Sequence, residues 1–149
     1  MLAIFFILSP FLTIIFYALT LWNTQNISVK KIWWLAVILS VYLGLLNCSK
    51  ELSGDFLEYS KYFFDVPKND LLSYILGFGK EPLFYAYTWI SYYLFFGNWK
   101  LFVVSITTIN YLLLSYCLIK ISRRLCVSSK NIITALFFMA FFFQEFAAV

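Results

Sequence analysis

The chain reads as an all-α integral membrane protein, a multi-span helical bundle with one polar loop. Three observations predict this. First, 63% of its 149 residues are hydrophobic and only 12% are charged. Soluble domains run nearer ~45–50% apolar and ~25% charged, so these charges cannot cover a water-facing surface. Second, four charge-free stretches set the class: Met1–Ser28, Ile32–Ser49, Leu101–Ile119 and Asn131–Gln144. Third, six of the seven acids fall between Glu51 and Glu81, so polar chemistry concentrates in one segment.

A membrane helix needs about 20 mostly apolar residues, with a tolerated range of ~17–25. The first stretch predicts a span over residues 2–22. It lacks a basic leader and a small-x-small cleavage site, so it is not read as a signal peptide. Pro10 falls near its start or middle, which a membrane helix tolerates. Lys30 and Lys31 end this segment and predict a cytoplasmic turn, because basic residues stay on the cytoplasmic side. A second span, 32–48, then runs outward, and the acidic loop 49–82 is extracytoplasmic.

Residues 83–96 are too short for an ordinary span and rich in Tyr and Trp: Tyr85, Tyr87, Trp89, Tyr92 and Tyr93. Such residues favour the headgroup level, where the ring is buried and the polar tip stays wet. The segment is therefore read as re-entrant or interfacial, with a tilted full span as the alternative. A third long span, 101–119, returns inward and delivers Lys120, Arg123, Arg124 and Lys130 to the cytoplasm. A last span, 132–149, runs outward, leaving Glu145 near the outer face, where a carboxylate costs less. Val149 ends inside an apolar run, so the chain is expected to be the N-terminal part of a longer polytopic protein.

The net charge of +4 comes from lysines and arginines scattered at span ends, which does not suggest nucleic acid. Cys48, Cys117 and Cys126 form no CxxC pair and read as small apolar residues. There is no histidine. His-based triads and His-ligated zinc are thereby excluded, and acid–base work falls to carboxylates, lysines or tyrosines.

Within the loop, Asp55-x-x-Glu58 has the spacing of a capping box opening a helix through about Phe64. Asn69 or Asp70 caps a second helix, 71–76, that Gly77 and Gly79 end. Pro82 starts the aromatic helix. In the first of these, Glu58, Tyr59 and Tyr62 follow Asp55 at i+3, i+4 and i+7 and share its face. Two carboxylates and two phenols could hold a divalent metal or take a proton from a sugar hydroxyl. Equally, Asp55 and Glu58 could only close the box. Gly79-Lys80-Glu81-Pro82 places Lys80 beside free N–H groups at a helix start, a setting that suits a diphosphate. The plain alternative is a turn with a snorkelling lysine. Asn110, mid-span, reads as a helix–helix hydrogen bond, and Lys120–Lys130 as a topology and headgroup anchor.

The order Gly54-Asp55-x-x-x-Tyr59, then Glu81-Pro82-Leu83-Phe84 opening an aromatic helix, then a Gly97-Asn98 turn resembles the EpsG family. These are Wzy-like bacterial exopolysaccharide polymerases, and the likeness covers about Ile32–Lys120. The layout is also similar to GT-C membrane glycosyltransferases, which carry an acidic motif in an external loop. The resemblance implies a multi-pass protein of the bacterial cytoplasmic membrane. It would polymerise oligosaccharide repeats carried on undecaprenyl diphosphate, beside a flippase and a chain-length regulator. It further implies Asp55 as base or metal ligand, Glu81 as a second catalytic or sugar-orienting carboxylate, and Lys80 as a diphosphate contact, with Glu58, Tyr59 and Tyr62 lining the substrate. No organic cofactor is implied, and a divalent metal stays open. Residues 1–149 alone are expected to be inactive. The rival class is a non-enzymatic membrane protein, a transporter fragment or an accessory subunit. Transporters favour ionisable residues in broken helices at mid-bilayer. Here the charges gather in the loop instead.

Overall fold

A computed structural model describes residues 9–24, 27–50, 54–68, 70–78 and 81–146, with the side chains of residues 55, 78 and 141–146 left out. Among them every regular element is helical: α1 (Pro10–Trp22), α2 (Val29–Cys48), α3 (Asp55–Asp65), a 3-10 turn (Val66–Lys68), α4 (Leu71–Phe78), α5 (Pro82–Leu94), α6 (Trp99–Arg124) and α7 (Ser129–Phe146). Two of them, α2 and α6, are long and apolar enough to cross a membrane.

Helix starts follow side-chain chemistry. Pro10 and Pro82 occupy the first turns of α1 and α5, where a missing N–H costs nothing. Asp70 accepts from the Ser73 N–H at 3.3 Å, and Asn98 accepts from the Leu101 N–H at 3.3 Å. Ser9 is not helical, so within the expected span 2–22 the described helix begins only at Pro10. The Asp55 side chain, and with it the expected capping box, lies outside what is described. Gly54 holds the cap position with φ 54°, a left-handed value that favours glycine, and Asp55 is the first helical residue. Gly77 does not end α4, which runs on to Phe78. α6 continues through Lys120 to Arg124, beyond the end of the expected span at Ile119. Basic side chains in a last turn complement the helix dipole, so Lys120, Arg123 and Arg124 do not end the helix.

The bundle is organised around α2 and α6. Their contacts pair Trp33 with Tyr116, Ser40 with Thr108 and Gly44 with Val104, so they run antiparallel. α6 presents Val103, Thr107, Tyr111, Ser115 and Ile119, a buried row at spacing four. α2 answers with Ala36, Ser40 and Gly44 at the same spacing. At Gly44 the backbones come so close that an added Cβ would lie 2.6 Å from Thr108 Oγ1 and 2.8 Å from the Val104 carbonyl. Small residues at such spacing allow this approach in membrane helices. α1 and α7 close the core through Ile14, Leu21, Ile132, Ile133 and Leu136.

The loop elements form a second layer over the end of this pair. Phe63 of α3 is fully buried against Phe102, Tyr92 and Trp99, at ring-centroid distances of 4.9, 5.1 and 5.6 Å. Tyr74 of α4 donates to the Tyr62 carbonyl at 2.6 Å and packs edge-on against Tyr85. Several aromatics of α5 thus pack within the protein: Tyr85 is buried, Tyr92 stacks on Phe63, and Tyr87 donates to Ser105 Oγ at 2.7 Å. α5 itself has 13 residues, about 20 Å of helix.

Candidate functional site

Between the loop layer and the flank of α6 lies a groove of about 670 Å³. Tyr59 of α3, with Glu81 and Phe84 at the start of α5, forms its mouth. Asn47 of α2 and Thr107 and Asn110 of α6 supply polar groups along its wall. Phe56, Trp99, Val103, Ile106, Leu113 and Leu114 make the remainder apolar but for the Tyr111 hydroxyl. The size is that of a small-molecule site, commonly about 300–1,000 Å³.

The mouth is built by helix phase. Tyr59 rests on Phe84 at a centroid distance of 5.1 Å, which sets its ring beside the α5 start. Glu81 is the cap residue of α5, yet its side chain makes no capping bond and is exposed. Its carboxylate therefore stands at the N-terminus of α5, where negative charge is favoured.

The wall contains an unmet acceptor. Asn47 is only 6% exposed; its Nδ2 donates to Thr107 Oγ1 at 3.3 Å, while its Oδ1 has no hydrogen-bond partner among the described residues. Leaving a buried acceptor unmet costs about 1–3 kcal/mol, so a donor arriving in the groove would recover that. Asn110, expected to bond between helices, is exposed and lines the groove instead. Thr107 and Tyr111 occupy the buried row, and Asn110 falls outside that row.

Lys50, just past the end of α2 and outside the groove lining, has a buried Nζ without a hydrogen-bond partner among the described residues. Sequence reading singled out neither Asn47 nor Lys50. The spacing-four row of Ala36, Ser40, Gly44 and Cys48 was the available signal, because it marks the α2 face on which Asn47 also falls.

The expected cluster on α3 is divided. Tyr59 reaches the groove. Glu58 is exposed and does not line it. Tyr62 is drawn into the loop layer, edge-on to Tyr85 at 5.6 Å, which makes it a packing residue. Aromatic packing on the α3–α5 contact wins over the polar grouping that spacing suggested. The Asp55 backbone begins α3, its side chain lies outside what is described, and Lys80 lies outside the described residues altogether. Among the described residues no three carboxylate or thiol groups come together as a metal site. Nearby, burial raises the Tyr74 phenol above its ordinary range, with the Tyr85, Asp65 and Tyr62 charges adding to it, so that hydroxyl stays protonated as a donor.

Chemically, the groove has a carboxylate and a phenol at its loop end, amides midway along α6 and leucines at its far end, with aromatic and aliphatic side chains between them. That arrangement suits an amphiphile. No family model, curated protein or solved structure matches the chain.

Proposed function

We propose that the chain is a membrane-resident part of a glycan polymerase that acts on lipid-linked oligosaccharide repeats, with the groove as its substrate site. The observation that carries this reading is the arrangement just described, from Glu81 and Tyr59 to Leu113 and Leu114. Membrane residence is supported by where the apolar surface lies. Only 39% of the apolar window of α2 and 33% of that of α6 is buried. Residues such as Trp34 and Leu113 are more than half exposed. Water would not tolerate so large an apolar face, and lipid would.

In this reading the sugar end of the donor lies at the mouth and its lipid runs toward the leucines. The acceptor hydroxyl gives its proton to a carboxylate, Asp55 or Glu81, as its oxygen bonds to the donor's anomeric carbon. The bond from that carbon to the diphosphate breaks, and the lipid diphosphate leaves with the electron pair. Lys80 is the candidate counter-charge. Tyr59 orients the sugar, while Glu58 and Tyr62 no longer belong to the site. A transporter reading gains nothing from the groove, where the described lining contains no ionisable group beyond Glu81 other than the phenols of Tyr59 and Tyr111.

The test is Glu81→Gln and Asp55→Asn, each made in the native gene. Loss of a general base costs about 10²–10⁴ in rate. Single lipid-linked repeats should accumulate and long polymer disappear on a gel, at unchanged immunoblot level. Wild-type chain length from both variants would remove these carboxylates from the chemistry.

A further inference from the structure

At the end of the bundle remote from the loop, the first turns of α2 and the last turns of α6 enclose a second cavity, about 420 Å³. Its lining is Trp33, Tyr116, Ile119, Lys120, Arg123 and Arg124. The Trp33 and Tyr116 rings lie 5.8 Å apart and form one side. Lys120 Nζ donates to the Tyr116 hydroxyl at 3.1 Å and stands 5.2 Å from that ring's centroid. The three cations fall within about one turn of α6, and all are exposed.

The α6 dipole and the Tyr116 ring offset these charges only in part. Among the described residues the ion pair joins Lys68 to Asp65, in the loop layer, and no carboxylate meets Lys120, Arg123 or Arg124. Six of the seven acids lie between Glu51 and Glu81 in the sequence, and the described ones, Glu58, Asp65, Asp70 and Glu81, stand on the loop elements or at the start of α5. The 26 residues of α6 make that helix about 39 Å long. Like charges held within one turn repel unless an anion joins them.

We propose that this cavity is a binding site for the phosphate of an anionic membrane lipid. Depth selects a lipid over a soluble phosphate. An upright helix crosses about 30 Å of hydrocarbon in about 20 residues, so a span starting at Trp99 reaches the far headgroup level near Ile119. Ile119 and the two rings then meet the upper acyl chains and glycerol, and the three cations meet the phosphate. Arginine pairs with phosphate oxygens in bidentate fashion, and basic pockets between membrane helices recognise such headgroups. The inference rests on membrane residence but is independent of the glycan chemistry.

The experiment uses the purified chain in mild detergent, with lipid adducts counted by native mass spectrometry. Phosphatidylglycerol is the probe and phosphatidylcholine the comparison. Each cation near a lipid surface is worth about fivefold in affinity. Arg123→Gln and Lys120→Gln should each weaken phosphatidylglycerol binding by about that factor, and leave phosphatidylcholine unchanged. Lys30→Gln with Lys31→Gln removes two exposed charges from the same end of the bundle, outside the cavity, and should change little. An equal loss from that pair would mean a diffuse field and overturn the site, as would equal binding of the two lipids. Sodium pyrophosphate that displaced phosphatidylglycerol at comparable concentration would overturn the choice of a lipid. Alkaline carbonate washing of native membranes separates the two failures. A chain released by the wash is not membrane-resident, whereas a retained chain without lipid preference loses only this site.

Discussion

Gly44→Ala is the smallest change that strains the helix pair on which the site is built. The new Cβ would fall 0.8 Å inside the 3.4 Å of ordinary contact with Thr108 Oγ1, and 0.6 Å inside it with the Val104 carbonyl (3.4 − 2.6 and 3.4 − 2.8). The threonine can rotate, but the carbonyl belongs to the α6 backbone and cannot. α2 and α6 must therefore separate locally. The Asn47–Thr107 bond at 3.3 Å and the Thr108–Ser40 bond at 3.5 Å already stand at the long end of hydrogen bonding and would break. Overpacking costs about 1–3 kcal/mol and a lost hydrogen bond about 1 more. Taking about 3 kcal/mol, at about 2–4 °C per kcal/mol for a chain of this size, the midpoint should fall by about 6–12 °C. The assay is thermal unfolding of the detergent-solubilised protein. Gly77→Ala is the internal control: nothing lies within 4 Å of its Cβ position, so it should be neutral or slightly stabilising. A Gly44→Ala midpoint equal to that of Gly77→Ala would refute the close approach of α2 and α6.

Two further outcomes are expected. Hydrogen bonds from the Ser73 side chain and N–H hold the Asp70 carboxyl below its ordinary range. A carboxylate lowered on folding stabilises above its unfolded pKa, about 3.9, and loses that contribution as pH falls through the folded value. The protection of the α4 amides, with intrinsic exchange divided out, should therefore fall in acid below about pH 4, and Asp70→Asn, which caps as well uncharged, should abolish that acid step. An identical acid step in the variant would discount the cap. For topology, Ser73→Cys in a cysteine-free background should label with an impermeant thiol reagent in intact cells, and Ser128→Cys should not; the reverse pattern would invert the arrangement. In that background Cys126 is best replaced by glycine, because its φ of 55° closes the C-terminal turn of α6.

Much of the fold is legible in the sequence because it rests on local rules. The charge-free runs locate α2 and α6, Pro82 starts α5, and Asp70 caps α4. Two differences concern where helices begin and end. α6 runs past the basic residues that bound the expected span 101–119, because lysine and arginine suit a helix C-terminus. Gly54 holds the cap position of α3, and Asp55 follows it as the first helical residue. The site was only half legible. Glu81 and Tyr59 are found from motif spacing, and both line the groove. Asn47 and the release of Asn110 from helix pairing depend on the phase of α2 against α6, which Gly44 sets through a contact far along the chain. Tyr62 shows the converse, since its place beside Tyr85 is decided by packing across α3 and α5.

The claim that the groove holds a lipid-linked glycan can be tested by photo-crosslinking. A benzophenone amino acid is placed at Leu113 in the groove wall, or at Phe16 on the exposed face of α1 as the reference. Membranes containing the protein receive repeat units radiolabelled in the sugar and are irradiated. The account predicts radiolabelled protein from position 113, reduced by excess unlabelled lipid-linked repeat, with background from position 16. Equal labelling at the two positions, or none at 113 in a protein that still makes polymer, would contradict it.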